Sequence, residues 1–255
     1  TMINQIRADF YRQRRSIGML ILLIATMALG IVTTWRKTPM GPTIGGEELL
    51  AIGRPGWTVR TGLQSGVASA SSLMYFYIAV FVIVIGAEYS QHTLKNTLTS
   101  GISRIQFILG KYATILIDII LLTLCYFITI LITGLALGRK PGAGWGILCK
   151  DVAVMTLSVS FCISVIISLG IILLILTKSL VIPAVVIVIW PMLISLVEYA
   201  FKLNWLKYFD FDGFGEQIAL NTLKADQAWI YAGVSAGVVL VAIFGSALII
   251  SKQEI

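Results

Sequence analysis

The sequence predicts an all-α protein that crosses a membrane six times. Three observations carry that expectation. Of 255 residues, 58% are hydrophobic and only 12% are charged, with a mean hydropathy of +0.93, which leaves too little polar surface to coat a water-soluble domain. The apolar residues are gathered into long runs, each able to cross a bilayer as a helix. The intervals between the runs hold most of the Gly, Pro and charge, as connections do.

The N-terminal segment, residues 1–16, reads as an interfacial amphipathic helix, with Thr1 taken as an addition ahead of a native start at Met2. Ile3, Ile6, Phe10 and Tyr11 recur at helical spacing while Arg7, Arg12, Arg14 and Arg15 supply cationic heads, a pattern suited to an anionic membrane surface. The first span, about 17–35, is longer than a signal-peptide core and has no small-residue cleavage site near its end, so it is expected to stay uncleaved. Residues 36–66 carry Pro39, Pro42 and Pro55 and are expected to be an external loop, with a short helix around Glu47 to Ile52.

The second span is placed at about 67–87, the third at 112–138 and the fourth at 151–176. Thr177-Lys178-Ser179 is so short that the fourth and fifth spans must be antiparallel neighbours. In the fifth span, about 180–200, Pro183 and Pro191 are each expected to remove an intrahelical bond and kink the helix, with hydroxyls such as Ser195 satisfying the freed carbonyls. Glu198 and Lys202 have the favourable i, i+4 order for an ion pair at its end. Residues 201–227 mix Trp205, Tyr208, Phe209, Phe211 and Phe214 with Asp210, Asp212 and Glu216, which suits short external helices at the membrane interface. The sixth span is about 229–250, and 251–255 is a tail. The spans make one transmembrane domain, 17–250. Gly134-x-x-x-Gly138 and Gly233-x-x-x-Gly237 allow close helix approach, within the chain or between copies.

Six spans put both termini on one side. Lys and Arg are divided almost evenly between the two sets of loops, so the side rests on the four arginines crowded before the first span. They place both termini, and residues 88–111, in the cytoplasm of a multi-pass protein of a bacterial plasma membrane.

Residues 88–111 form the one long polar interval that breaks into two helical pieces. The first piece sets Leu94 and Leu98 on one face, Ser100-Gly101 breaks the helix, and Ser103 is a fair N-cap for the piece that enters the third span. The plain alternative is an ordinary solvated loop. Within the third span Asp118 is an ionisable group that needs a partner, either Lys111 two turns earlier or a hydroxyl on a neighbouring span; the functional alternative is a polar lining of a substrate route.

Much chemistry is excluded. No GxxxxGK followed by Ser or Thr is present, so the chain has no P-loop. His92 is the single histidine, which removes His-based metal sites and Ser-His relays. Cys125, Cys149 and Cys162 are an odd number and do not make a disulfide framework. The +7 charge comes without a basic run interleaved with aromatics, so no nucleic-acid partner is expected. The chain is not expected to be an enzyme.

Glu88-Tyr89-Ser90, Thr93-Leu94-Lys95-Asn96, Gly101-x-Ser103-Arg104, Phe107 and Lys111 closely resemble the loop after the second span in permease subunits of type-2 ABC exporters, nearest the lantibiotic-immunity and bacitracin-resistance branch. His92 departs from the glycine common there. The resemblance implies a coupling helix that docks on a cytoplasmic ATPase, with Glu88, Tyr89, Thr93, Leu94, Lys95, Ser103 and Arg104 as the docking residues. It implies two copies of that ATPase, which would hold ATP and Mg while this chain holds no cofactor. It also implies a second permease, identical or paralogous, a membrane-lipid setting and a membrane-active peptide as substrate. The same architecture would also serve export of an ion, lipid or drug, and a sensor or assembly subunit without transport is the alternative of another class.

Overall fold

The computed structural model describes residues 2–37, 56–86, 88, 102–203 and 205–252, and among these there is helix but no strand. The helices are α1 (Met2–Arg14), α2 (Ile17–Arg36), α3 (Val59–Ala68), α4 (Ala70–Phe81) continued by a π-turn (Val82–Gly86), α5 (Arg104–Ala136), α6 (Trp145–Thr177), α7 (Val181–Phe201), a 3-10 turn (Leu206–Phe209), α8 (Phe211–Ala219) and α9 (Ala225–Lys252). Five of them, α2, α5, α6, α7 and α9, are long and apolar enough to cross a membrane, and the bent pair α3–α4 makes a sixth if its two arms are one span.

Sequence chemistry sets the ends. Ser103 caps α5: its Oγ accepts from the Gln106 amide at 3.3 Å and its own amide donates to Gln106 Oε1 at 3.4 Å, the reciprocal bonding of a capping box. Thr58 and Thr61 do the same for α3. The start of α3 is also met by the turn after α5, whose Lys140 and Pro141 carbonyls accept from the Val59 and Arg60 amides at 3.0 and 3.2 Å, so amides that a helix start leaves unpaired find partners. That turn needs Gly142, at φ 80, where a Cβ would lie 2.5 Å from Thr58 Oγ1.

The core is the α5–α6 pair. In α6 72% of the most apolar stretch is buried, against 18% for α7 and 28% for α2, so α6 is the hub and the outer helices turn their apolar sides outward. Several hydroxyls inside the bundle donate to carbonyls one turn back, as with Thr26 to Leu22, Thr34 to Gly30 and Thr129 to Cys125 at 2.7–2.8 Å, the internal pairing that a lipid surrounding favours. The Tyr77 and Thr123 hydroxyls pair across α4 and α5.

Several expectations are corrected. Helix in the region of the second span begins at Val59, ahead of the expected 67, and the α3–α4 pair is bent by 63° near Ser69. Pro183 sits in the first turn of α7, where its missing N–H breaks no bond, and α7 continues through Pro191. Glu198 and Lys202 do not pair, because α7 ends at Phe201 and Lys202 turns into the left-handed region at φ 52. Gly134 packs against Val59 within the chain, Gly138 is a positive-φ cap at φ 69, and Gly233 and Gly237 face open space. The short helix around 47–52 and the Ser195 side chain lie outside the described residues.

Gly66 is a close approach between α3 and α5: a Cβ there would meet Ile130, Phe127 and Tyr126 at 2.5–3.5 Å. Gly66→Val is expected to destabilise the detergent-purified protein by about 1–3 kcal/mol, read as a lower Tm. Gly233→Ala, with nothing within 4 Å, is the control expected to leave Tm in place.

Candidate coupling site

The polar stripe of α1, not its apolar side, faces the protein. Gln5, Asp9 and Gln13, spaced i, i+4, i+8, are the buried residues of this helix, while Ile3 and Tyr11 are exposed. The stripe seats on α5, and its contacts ascend both helices in the same order. Gln5 donates to the Phe107 carbonyl at 3.3 Å and its amide fills the space beside Gly110, where a Cβ would lie 2.9 Å away. Gln13 donates to Asp118 at 2.7 Å.

Between them lies Lys111, fully buried. Its ammonium donates to both oxygens of Asp9 at 2.9 Å and to Glu88 at 2.5 Å. Arg12 reaches Asp9 at 2.9 Å and Glu88 at 3.7 Å. Two cations thus oppose two anions, and the three donors of the ammonium are used. A buried lysine is tolerated only on such terms.

The cluster joins three parts of the chain. Glu88 follows the end of the bent span, Lys111 lies on α5, and Asp9 belongs to α1. Residues 89–101, which lie outside the described residues, are therefore bounded by two stems that a buried ion pair holds together. Of the residues read as docking positions, Glu88 is in this cluster, Ser103 caps α5, and Arg104 is exposed at its first turn; Tyr89, Thr93, Leu94 and Lys95 lie outside the described residues. Asp118 is buried, and its partner is the Gln13 amide, not Lys111 or a hydroxyl. Asp9, Gln5 and Gln13 were legible only as a polar i, i+4 stripe, a signal hidden by the arginines around it.

A second polar group lies between α7 and α9. Phe214 and Tyr231 stack at 4.5 Å, Trp190 stacks on Phe211 at 6.4 Å, and the Trp190 indole donates to the Phe209 carbonyl at 3.0 Å. This holds α8 against α6, where Gly215 abuts Cys162. Asp210 caps α8 by accepting from Gly213 at 3.1 Å. Burial, then the charge of Asp210, raises the Asp212 carboxyl to about 7; burial, then Asp212 and Asp210, raises Glu216 to about 8.

The described residues thus form a bundle of long apolar helices whose loop end is tied by a buried ionic cluster. The family model for ABC-2 family transporter proteins matches residues 5–194 of the 255, and the chain belongs to that family. Among curated proteins none matches the chain. Membership makes the chain the multi-pass membrane permease of an ABC system, whose ATPase is a separate partner.

Two predictions follow from these sites. Lys111→Met strands Asp9 and Glu88 without their buried counter-ion and is expected to cost about 3–5 kcal/mol, seen as a large fall in Tm. Adding Asp9→Asn should restore part of it. At α8 the folded state holds protons on Asp212 and Glu216 that the unfolded chain releases above about pH 4. Stability from them is thus fully present below about pH 4, falls progressively as pH rises from there to 7 to 8, and is flat above. Tm should fall over that range, and Asp212→Asn with Glu216→Gln should flatten the profile.

Proposed function

We propose that this permease has six spans with both termini cytoplasmic and powers export through residues 89–101, which dock on the ABC ATPase. The Asp9–Lys111–Glu88 cluster carries this reading. A loop that transmits force must have stems that do not splay, and here both stems are tied to each other and to α1. Differential binding of the ATPase to two permease states then shifts the whole clamp as a unit. Arg104 adds support: an exposed cation in the first turn of a long helix opposes the helix dipole, a cost offset when an acidic partner sits against it. Glu88, being buried, serves the stem, while Tyr89, Thr93, Leu94 and Lys95 meet the ATPase. Two permeases, identical or paralogous, work with two ATPase subunits.

The substrate we propose is a cationic amphipathic peptide of the lantibiotic kind, expelled from the outer face of a bacterial membrane as self-protection. Asp210, Asp212 and Glu216 set among five stacked or edge-paired aromatics offer carboxyl groups to its cationic side, those of Asp212 and Glu216 losing their protons as a cation docks, and rings to its apolar side.

Co-purification with the ATPase tests the docking. The wild type is expected to retain it, and Leu94→Ala with Lys95→Ala to lose it at unchanged Tm; retention by the double variant sinks the reading. Cells with permease and ATPase should tolerate several-fold more peptide than cells with a dead ATPase, and equal tolerance would remove the peptide assignment.

A further inference from the structure

At the opposite end of α5 three helix termini converge around a pocket of about 320 Å³, lined by Trp35, Lys37, Trp57, Leu137 and Arg139. Lys37 ends α2 at φ 55, Trp57 lies just before α3, and Leu137 and Arg139 follow α5. The pocket has two cations, two indoles and no carboxylate in its described lining.

Cations after helix ends have an ordinary use, since they complement the dipole. Two atoms here exceed that use. Arg139 Nη1 and Trp57 Nε1 are both buried and neither has a hydrogen-bond partner. The Arg139 guanidinium lies over the Trp57 ring at 5.8 Å, a contact that orients it but leaves those N–H groups unused. Leaving such donors unmet is costly, and a small turn of the two side chains toward a negatively charged acceptor in the pocket would meet both.

We propose that this pocket holds the phosphodiester headgroup of an anionic phospholipid. A phosphate oxygen suits the fork of a guanidinium, Lys37 supplies the second positive charge, and indole N–H donors at the end of apolar helices belong at headgroup depth. Leu137 and the faces of Trp35 and Trp57 supply apolar contact for the glycerol and first acyl carbons. A bare phosphate would leave most of the volume unfilled. The site is independent of what the permease exports.

Native mass spectrometry of the full-length chain in detergent tests this, with phosphatidylglycerol, phosphatidylcholine and inorganic phosphate as probes. The wild type is expected to retain one phosphatidylglycerol, to retain phosphatidylcholine less, and to keep the lipid when inorganic phosphate is added. Arg139→Gln should weaken retention at least about tenfold. Trp57→Phe keeps the ring and removes the donor, and Lys37→Gln removes the second charge; each should weaken retention, so the test survives if Arg139→Gln fails to fold. Lys150→Gln, an exposed lysine near the start of α6, should change nothing. Equal loss in Lys150→Gln, unchanged retention in the three pocket variants, equal retention of phosphatidylcholine, or displacement by inorganic phosphate would each overturn the assignment.

Discussion

One buried ammonium decides how the loop end of this protein is built. Lys111 has no access to water, so its charge must be answered within the chain. Asp9 and Glu88 answer it, and because they come from different segments the electrostatic requirement becomes a mechanical one. Freeing Lys111 from either carboxylate would leave a buried charge without its partner. The segments therefore move together or pay several kcal/mol of separation, about the cost of breaking a buried pair.

That clamp explains the face α1 turns inward. An amphipathic helix is ordinarily held by its apolar side, but in a chain whose other helices are already apolar an apolar stripe would distinguish no position among them. The Gln5–Asp9–Gln13 stripe does, because each member has one counterpart along α5: the Phe107 carbonyl, Lys111 and Asp118. Polar pairing inside an apolar bundle supplies register, as hydrogen bonds do between membrane helices. Ile3 and Tyr11 are then left exposed on its outer side, with Ile6 and Phe10 half-buried.

Much of this was legible in the sequence. Five apolar runs became long helices because composition and length alone decide that outcome, and Ser103 was readable as a cap because its chemistry is local. The bend near Ser69 and the early start of α3 were not, since what stabilises residues 59–66 as helix lies far away, in the Lys140 and Pro141 carbonyls and in the Arg60–Asp151 ion pair. Nor could spacing reveal the partner of Lys111. Asp118 sat at helical distance on the same helix and was the obvious choice, but Asp9 from another helix has the shorter path to the ammonium, and Asp118 is met by Gln13 instead. Intrahelical spacing identifies neighbours on one surface; it says nothing of which surface arrives from elsewhere.

The two polar sites described lie at opposite ends of the same helix. Lys111 is in the second turn of α5 and Arg139 just beyond its last, so most of a capped helix of 33 residues separates them, about 40 Å at the usual rise. Such a helix packed along α2 and α6 resists bending, because its hydrogen bonds are saturated and its neighbours are close-packed. Gly30 against the Tyr126 carbonyl and the Tyr77–Thr123 pair hold it laterally. A displacement applied to the ionic clamp is thus carried along α5 as a tilt or translation and is not absorbed locally. The turn after α5, which caps α3 and carries Arg139, must follow, so the helix that begins at the loop end also sets the shape of the pocket at the other.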